Sequence, residues 1–171
     1  REPFDKDYGF SVRCLKDTLA VVITSSVSSV TDSSVTGGGE IPYDGGANVT
    51  ARGICIATTA NPTISNDTTN NGTGTGSFTS YKKGLNPGTL YYVRAYATNS
   101  EGTSYGSQVS FTTDVRKPTV ITSIVGSITD SSAVSGGNVT ATGGAAVTSR
   151  GVCWSLTPVP TISADTTNNG T

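Results

Sequence analysis

Histidine and methionine are absent from these 171 residues, charged side chains make up only 13%, and cysteine occurs three times. Without histidine, the commonest general base and metal ligand are missing, and Ser-His-Asp and Cys-His nucleophile systems are excluded within this sequence. No CxxC pair, Walker loop or GxGxxG in a strand–helix context occurs, and the 12 acidic residues are scattered over turns and strand ends. Neither catalysis nor a cofactor is expected. The net charge of -1 comes with dispersed lysines and arginines. It supplies no basic stripe for a phosphate backbone or an anionic membrane, so nucleic acid is not an expected partner. No run approaches the ~18 apolar residues of a spanning helix, and membrane insertion of this stretch is not expected. No basic-then-apolar leader opens the chain, and Arg1 is not an initiator methionine; both ends read as cuts within a longer polypeptide.

What is present is repetition. Residues 21 to 73 moved forward by about 98 positions land on residues 119 to 171, with roughly 32 of about 53 pairs identical and no gap. Thr31-Asp32-Ser33-Ser34 meets Thr129-Asp130-Ser131-Ser132, and the run from Asp67 to Thr73 meets that from Asp165 to Thr171. A period near 100 residues is the size of a whole small domain, so the chain reads as a tandem array of folded units. The expected divisions are residues 1–17 as the tail of a preceding domain, 18–114 as the first repeat and 115–171 as a truncated second. Cys55 and Cys153 occupy the same position in the two copies, a domain length apart. A disulfide needs Cα atoms about 5.5 Å apart, so each is expected as a lone thiol. Cys14 precedes both.

Within the first copy, segments rich in Val, Ile, Thr and Tyr are separated by Gly, Asn, Asp and Pro clusters about every ten residues, the spacing of an all-β sandwich. The expected strands are Ala20 to Val30, Ser33 to Ile41, Val49 to Thr58, Gly76 to Leu85, Thr89 to Asn99 and Tyr105 to Thr113. Helix should be nearly absent. After the Pro87-Gly88 turn, alternation puts Tyr91, Val93, Ala95 and Ala97 on the core face and Tyr92, Arg94 and Tyr96 on the other. Val152 and Trp154 likewise share a face, which reads Trp154 as a core anchor.

The run Leu85-Asn86-Pro87-Gly88-Thr89-Leu90-Tyr91 resembles the E–F corner of fibronectin type III domains. The resemblance implies that Leu85, Pro87 and Tyr91 form a tyrosine corner, with the Tyr91 hydroxyl bonding back to the backbone. Arg52-Gly53-Ile54-Cys55, Pro62-Thr63-Ile64-Ser65 and Tyr92-Val93-Arg94-Ala95-Tyr96-Ala97 together are similar to the fibronectin-III-like repeats of large secreted bacterial surface proteins. Such repeats usually carry Trp or Tyr after the Cys, as at Trp154; the first copy has Ile56. The run Tyr8-Gly9-Phe10-Ser11-Val12-Arg13-Cys14 resembles the closing strand of a lectin-like paralogous domain of secreted bacterial proteins. These resemblances imply an extracellular location and an immunoglobulin-like sandwich fold.

Three polar features carry the functional candidates. The loop Asn66 to Gly72 and its copy could offer oxygen atoms to calcium, but it lacks the acids of a dedicated loop and suits Asx turns. Thr18, Thr68 and Thr166 follow an aspartate in a pattern that resembles a bacterial O-glycosylation acceptor. The Asn-x-Thr sequons at Asn48, Asn66, Asn71, Asn138 and Asn169 read as incidental. Tyr92, Arg94 and Tyr96 form an outward stripe able to stack a sugar or grip a partner, or else to pack across strands.

The expected function is a non-catalytic stalk, adhesin or filament component, with neighbouring repeats, like subunits and glycans as its partners. The alternative is a spacer or carbohydrate-binding accessory module of a secreted polysaccharide-active enzyme. Residues 119–171 lack equivalents of Gly74 to Thr113, and half a sandwich should not stand alone. Its remaining strands are expected from the continuing polypeptide or from a neighbouring subunit.

Overall fold

The computed structural model describes residues 16–171; the expected lectin-like tail and Cys14 lie outside the described residues. The first copy forms eight strands: β1 (Val21–Thr24), β2 (Ser34–Tyr43), β3 (Ala51–Ala57), β4 (Asp67–Thr68), β5 (Gly76–Lys83), β6 (Leu90–Asn99), β7 (Gly102–Tyr105) and β8 (Val109–Thr112). No helix occurs among the described residues. One antiparallel sheet runs β1-β2-β5 and the other β4-β3-β6-β7. Strand β8 pairs the first half of β6, with Tyr91 opposite Phe111.

Period-two alternation fills the space between the sheets. Val35, Ile54, Ile56, Leu85, Tyr91, Val93 and Phe111 form one buried cluster, and Ala20, Ile41, Val49 and Ala97 a second beside it. Burying each large apolar side chain contributes about 1.5–3 kcal/mol, which makes this interior the main stabilising feature. Gly39 stands where the layers come closest: an added Cβ would lie 2.6 Å from Ala95 Cβ and from the Ile23 carbonyl oxygen. The three-glycine run therefore marks a close approach of strands. The result is a fibronectin type III-like β-sandwich.

Boundaries depart from the expected ones where the chain changes sheets. The strand expected over Ala20 to Val30 ends at Thr24, and beyond it the pairing continues through the Ser25 amide to the Gly38 carbonyl (3.1 Å) and the Ser28–Thr36 bridge. The Thr24 hydroxyl instead accepts a hydrogen bond from the Ala95 amide of the opposite sheet (3.0 Å). The strand expected over Tyr105 to Thr113 is split into β7 and β8. Gly106 packs against Thr24 and donates to the Ala95 carbonyl (3.0 Å) before the chain turns.

The second copy begins the same fold with β9 (Thr119–Thr122), β10 (Gly137–Ala141), β11 (Cys153–Trp154) and β12 (Asp165–Thr166). Its local geometry repeats the first in detail. Cys153 pairs Thr166 as Cys55 pairs Thr68, and the Gly126–Val134 bridge matches Ser28–Thr36. Ser29 and Ser127 both have φ of 48°. What differs is cover. Trp154, read from alternation as a core anchor, is 50% exposed, whereas its counterpart Ile56 is 2% exposed. The strands that bury Ile56 have no counterpart between residues 119 and 171.

The repeats meet where the Pro87-Gly88 corner of the first lies against Gly143-Gly144 of the second. A Cβ on Gly144 would fall 2.5 Å from the Pro87 carbonyl carbon, so this contact is backbone against backbone. The link between the copies is tied down beside it, with the Arg116 amide donating to the Gly143 carbonyl (2.8 Å).

Candidate functional site

The outer face of the β3–β6–β7 sheet carries the stripe Tyr92, Arg94 and Tyr96, and the fold has enclosed much of it. The connection from β3 to β4 folds back across this face with Pro62 buried, and the Ile64 amide donates to the Tyr105 hydroxyl (3.2 Å). Tyr96 is only 6% exposed; its hydroxyl donates to the Thr69 carbonyl (2.8 Å). Arg94 donates from Nε to the Gly106 carbonyl (2.9 Å), and its guanidinium lies 4.8 Å from the centre of the Tyr105 ring. Tyr92 and the Arg94–Tyr105 pair remain half-buried and make up what this face offers a ligand.

Beneath them Cys55 is wholly buried, its thiol within 3.2 Å of the Pro62 carbonyl oxygen and 3.3 Å of that of Arg94. Burial pushes this thiol up from its ordinary pKa, against the opposing pull of the Arg94 charge. Tyr96 is pushed up as well, first by burial and then by Cys55 and Tyr105 beside it. A buried, protonated thiol is a poor nucleophile. Among the described residues, no three His, Cys, Asp or Glu side chains gather into a cluster that could hold a metal ion.

The Asn/Asp loop uses its oxygens internally. Asn66 Oδ1 accepts from the Thr63 amide (2.9 Å), and Asn70 Oδ1 accepts from the Gly72 amide (2.9 Å). Asn71 Oδ1 accepts from the hydroxyls of Thr69 and Ser80 while its Nδ2 donates to the Thr79 carbonyl (2.7 Å). Asp67 pairs with Lys82 at 2.7 Å. These turns lock β4 to β5. Arg52 closes the same end: its Nη1 reaches the carbonyls of Gly74, Thr75 and Gly76, and its guanidinium lies over the Phe78 ring.

The remaining expected residues fall at defined places. Tyr91 Oη accepts the Asn86 amide (3.0 Å), Leu85 is buried and Pro87 half-buried, which is the geometry of a tyrosine corner. Thr18, Thr68 and Thr166 are exposed. Thr18 lies at the entry to β1, with its amide donating to the Gly45 carbonyl, and Thr68 and Thr166 stand on the short outer strands β4 and β12. The polar network of Thr69, Asn71 and Ser80 and the cap made by Arg52 were not singled out from sequence. Their trace was the recurrence of Arg52, Thr69 and Asn71 at Arg150, Thr167 and Asn169.

No protein-family model matches this sequence, and no curated protein does. Several solved structures are similar to part of this chain. The sensor domain of the anti-sigma factor RsgI4 from Pseudobacteroides cellulosolvens is 15% identical, with 57% of this chain and 96% of that chain covered and a TM-score of 0.43. A human fibronectin type III domain is 21% identical over 63% of this chain and 87% of its own, with a TM-score of 0.43. The sixth fibronectin type III domain of human fibronectin type III domain containing protein 3 is 19% identical over 64% and 98%, with a TM-score of 0.41. Likeness at this level concerns fold alone.

Proposed function

We propose that this chain is part of an extracellular, non-catalytic array of fibronectin III-like units that serves as a stalk, adhesin or filament component of a secreted bacterial surface protein. The observation that carries the reading is the join between the copies. A five-residue link, Asp114 to Pro118, is pinned at Arg116, and the Pro87-Gly88 corner of one unit lies against the Gly143-Gly144 turn of the next. Short, fastened links favour a stiff, extended arrangement over freely swinging units. Like subunits and glycans are the proposed partners. The absence of histidine and the low charge of the sequence support the non-catalytic part of the reading.

Thr68 and Thr166 are the proposed O-glycan acceptors, one exposed threonine per repeat on equivalent outer strands, with Thr18 at the entry to the array. Mass spectrometry of native material tests this: added hexose-type mass on peptides carrying Thr68 and Thr166 is expected, and unmodified peptides would remove glycosylation from the account. The competing reading, a sugar-binding accessory module of a polysaccharide-active enzyme, is favoured by the half-exposed Tyr92 beside the stacked Arg94 and Tyr105. Isolated residues 18–114 on a glycan array discriminate the two. Saturable binding lost in Tyr92→Ala would establish the accessory reading in place of the structural one.

A further inference from the structure

A cleft of about 480 Å3 opens at one end of the first repeat, between the connection from β2 to β3 and the connection from β4 to β5. That is within the roughly 300–1,000 Å3 of small-ligand sites. Its polar lining is Asp44, Asn48 and Thr50 on one wall and Thr73 and Thr75 on the other, and its apolar residue, Val49, is buried. The cleft lies at the opposite end of β6 from Tyr92, where the Thr50 amide donates to the Thr98 carbonyl (2.8 Å).

Both walls are held from behind. Asn99, itself 5% exposed, donates from Nδ2 to the carbonyls of Asp44 (2.8 Å) and Thr18 (2.7 Å), and Asp44 Oδ1 accepts the Gly46 amide (2.9 Å). The Gly74 amide donates to the Val49 carbonyl (2.9 Å), which ties one wall to the other. In the run Gly72-Thr73-Gly74-Thr75-Gly76 the glycines have φ of 86°, 80° and 87°, although an added Cβ at any of them would meet nothing within 4 Å. Backbone conformation, not crowding, therefore requires glycine there. That conformation turns the carbonyls of Gly74, Thr75 and Gly76 onto Arg52 Nη1 and leaves both threonines lining the cleft.

We propose that this cleft binds a neutral sugar through its hydroxyl groups. The chemistry of the lining makes the selection. Asp44 brings a negative charge and no lysine or arginine lines the cleft, which disfavours phosphate, sulfate and carboxylate ligands. One buried valine gives an apolar ligand nothing to lie on. A single carboxylate among neutral oxygens falls short of the charge that a calcium site assembles. A sugar hydroxyl both donates and accepts. The Asp44 carboxylate accepts, the Asn48 carboxamide does both, and the threonine hydroxyls rotate to suit either. Asn48, Thr73 and Thr75 are exposed, and among the described residues their side chains make no hydrogen bond that a ligand would have to break. Fixed walls keep the ordering cost of binding low. The second repeat has Thr142 and Ala146 in place of Asp44 and Asn48, so the site belongs to the first repeat. It rests on the array reading only where that reading names glycans as partners.

The test titrates the whole, isotope-labelled chain with the methyl α- and β-glycosides of glucose, galactose, mannose and N-acetylglucosamine at millimolar concentration and reads amide chemical shifts. At least one glycoside should give saturable shifts centred on Gly46, Asn48, Gly74 and Thr75, and Tyr92→Ala should retain them. Asp44→Thr and Asn48→Ala bring in the residue types that the second repeat carries at the same turn, so the fold should hold. Each should weaken the binding several-fold while the rest of the spectrum stays in place. The proposal is overturned if no glycoside gives saturable shifts at these amides, or if either variant binds as well as the parent. It is also overturned if the shifts gather around Tyr92 and vanish in Tyr92→Ala. Calcium chloride shifting these amides where the glycosides do not would make the cleft a cation site and overturn it as well. None of these outcomes touches the join between the copies, on which the array reading stands.

Discussion

Replacing Gly53 by alanine puts a methyl group where the outer face of β3 has no room. The added Cβ would stand 2.9 Å from the Thr69 carbonyl carbon and 3.0 Å from the Tyr96 ring, against about 3.5–4.0 Å for ordinary carbon contacts. The Thr69 carbonyl oxygen lies nearer still and is backbone, so the segment around Thr69 must withdraw by roughly one ångström to restore ordinary contacts. That movement strains three hydrogen bonds: the Thr69 amide to the Ile54 carbonyl (2.9 Å), the Ile54 amide to Thr69 Oγ1 (3.0 Å), and the Tyr96 hydroxyl to the Thr69 carbonyl (2.8 Å). At roughly 1 kcal/mol net each, with some recovered by relaxation, the expected loss is about 2–3 kcal/mol. Urea unfolding of residues 18–114 should show a lower midpoint at unchanged slope. The melting temperature should fall by on the order of 10–20 °C. Gly37→Ala in the same repeat, where the nearest neighbour of an added Cβ is Ile54 Cδ1 at 3.4 Å, an ordinary contact, is the control. A Gly53→Ala protein within about 0.5 kcal/mol of the parent, the range of ordinary surface substitutions, would refute the packing described for this face.

Tyr91→Phe removes the acceptor of the Asn86 amide and keeps the ring stacked on Phe111; about 0.5–1.5 kcal/mol should be lost, measured by the same unfolding curves. Lys82→Ala breaks an ion pair whose Asp67 side chain is 57% exposed, and stability should change by less than about 1 kcal/mol. Val159 holds a left-handed φ of 58° where the first repeat has Asn61, so Val159→Asn should stabilise the second repeat by about 1–2 kcal/mol, read as slower proteolysis. Cys55 has its pKa raised by burial, so the folded state keeps a proton that the unfolded chain releases first. Its stabilising contribution is intact below the ordinary thiol pKa near 8.5 and is lost as pH rises through the higher folded value. Alkaline unfolding of Cys55→Ser, compared with the parent above pH 8.5, should show a weaker fall in stability. Equal slopes would contradict this.

The alternation from Tyr91 to Ala97 was legible because a strand facing a core repeats every two residues, and the Pro87-Gly88 turn fixed where that strand began. Burial on the second face was not. Nothing in a period of two says that the connection carrying Pro62 folds over Tyr96 and Cys55, because that cover comes from residues distant in sequence. The same holds for Arg52, whose role depends on three carbonyls more than twenty residues away. Asp67 and Thr68 read as turn residues, yet pairing with Cys55 and Ile56 makes them a short strand. The alternation around Trp154 gives the face on which it stands; its exposure depends on strands that the stretch from 119 to 171 does not contain.

Small-angle X-ray scattering of the two-repeat chain tests the array most directly. A compact globule of 171 residues would have a radius of gyration of about 16 Å. The account predicts a clearly larger value and a distance distribution with a second shoulder, from two units joined at the Gly88–Gly144 contact. A single symmetric peak at the compact value would contradict it.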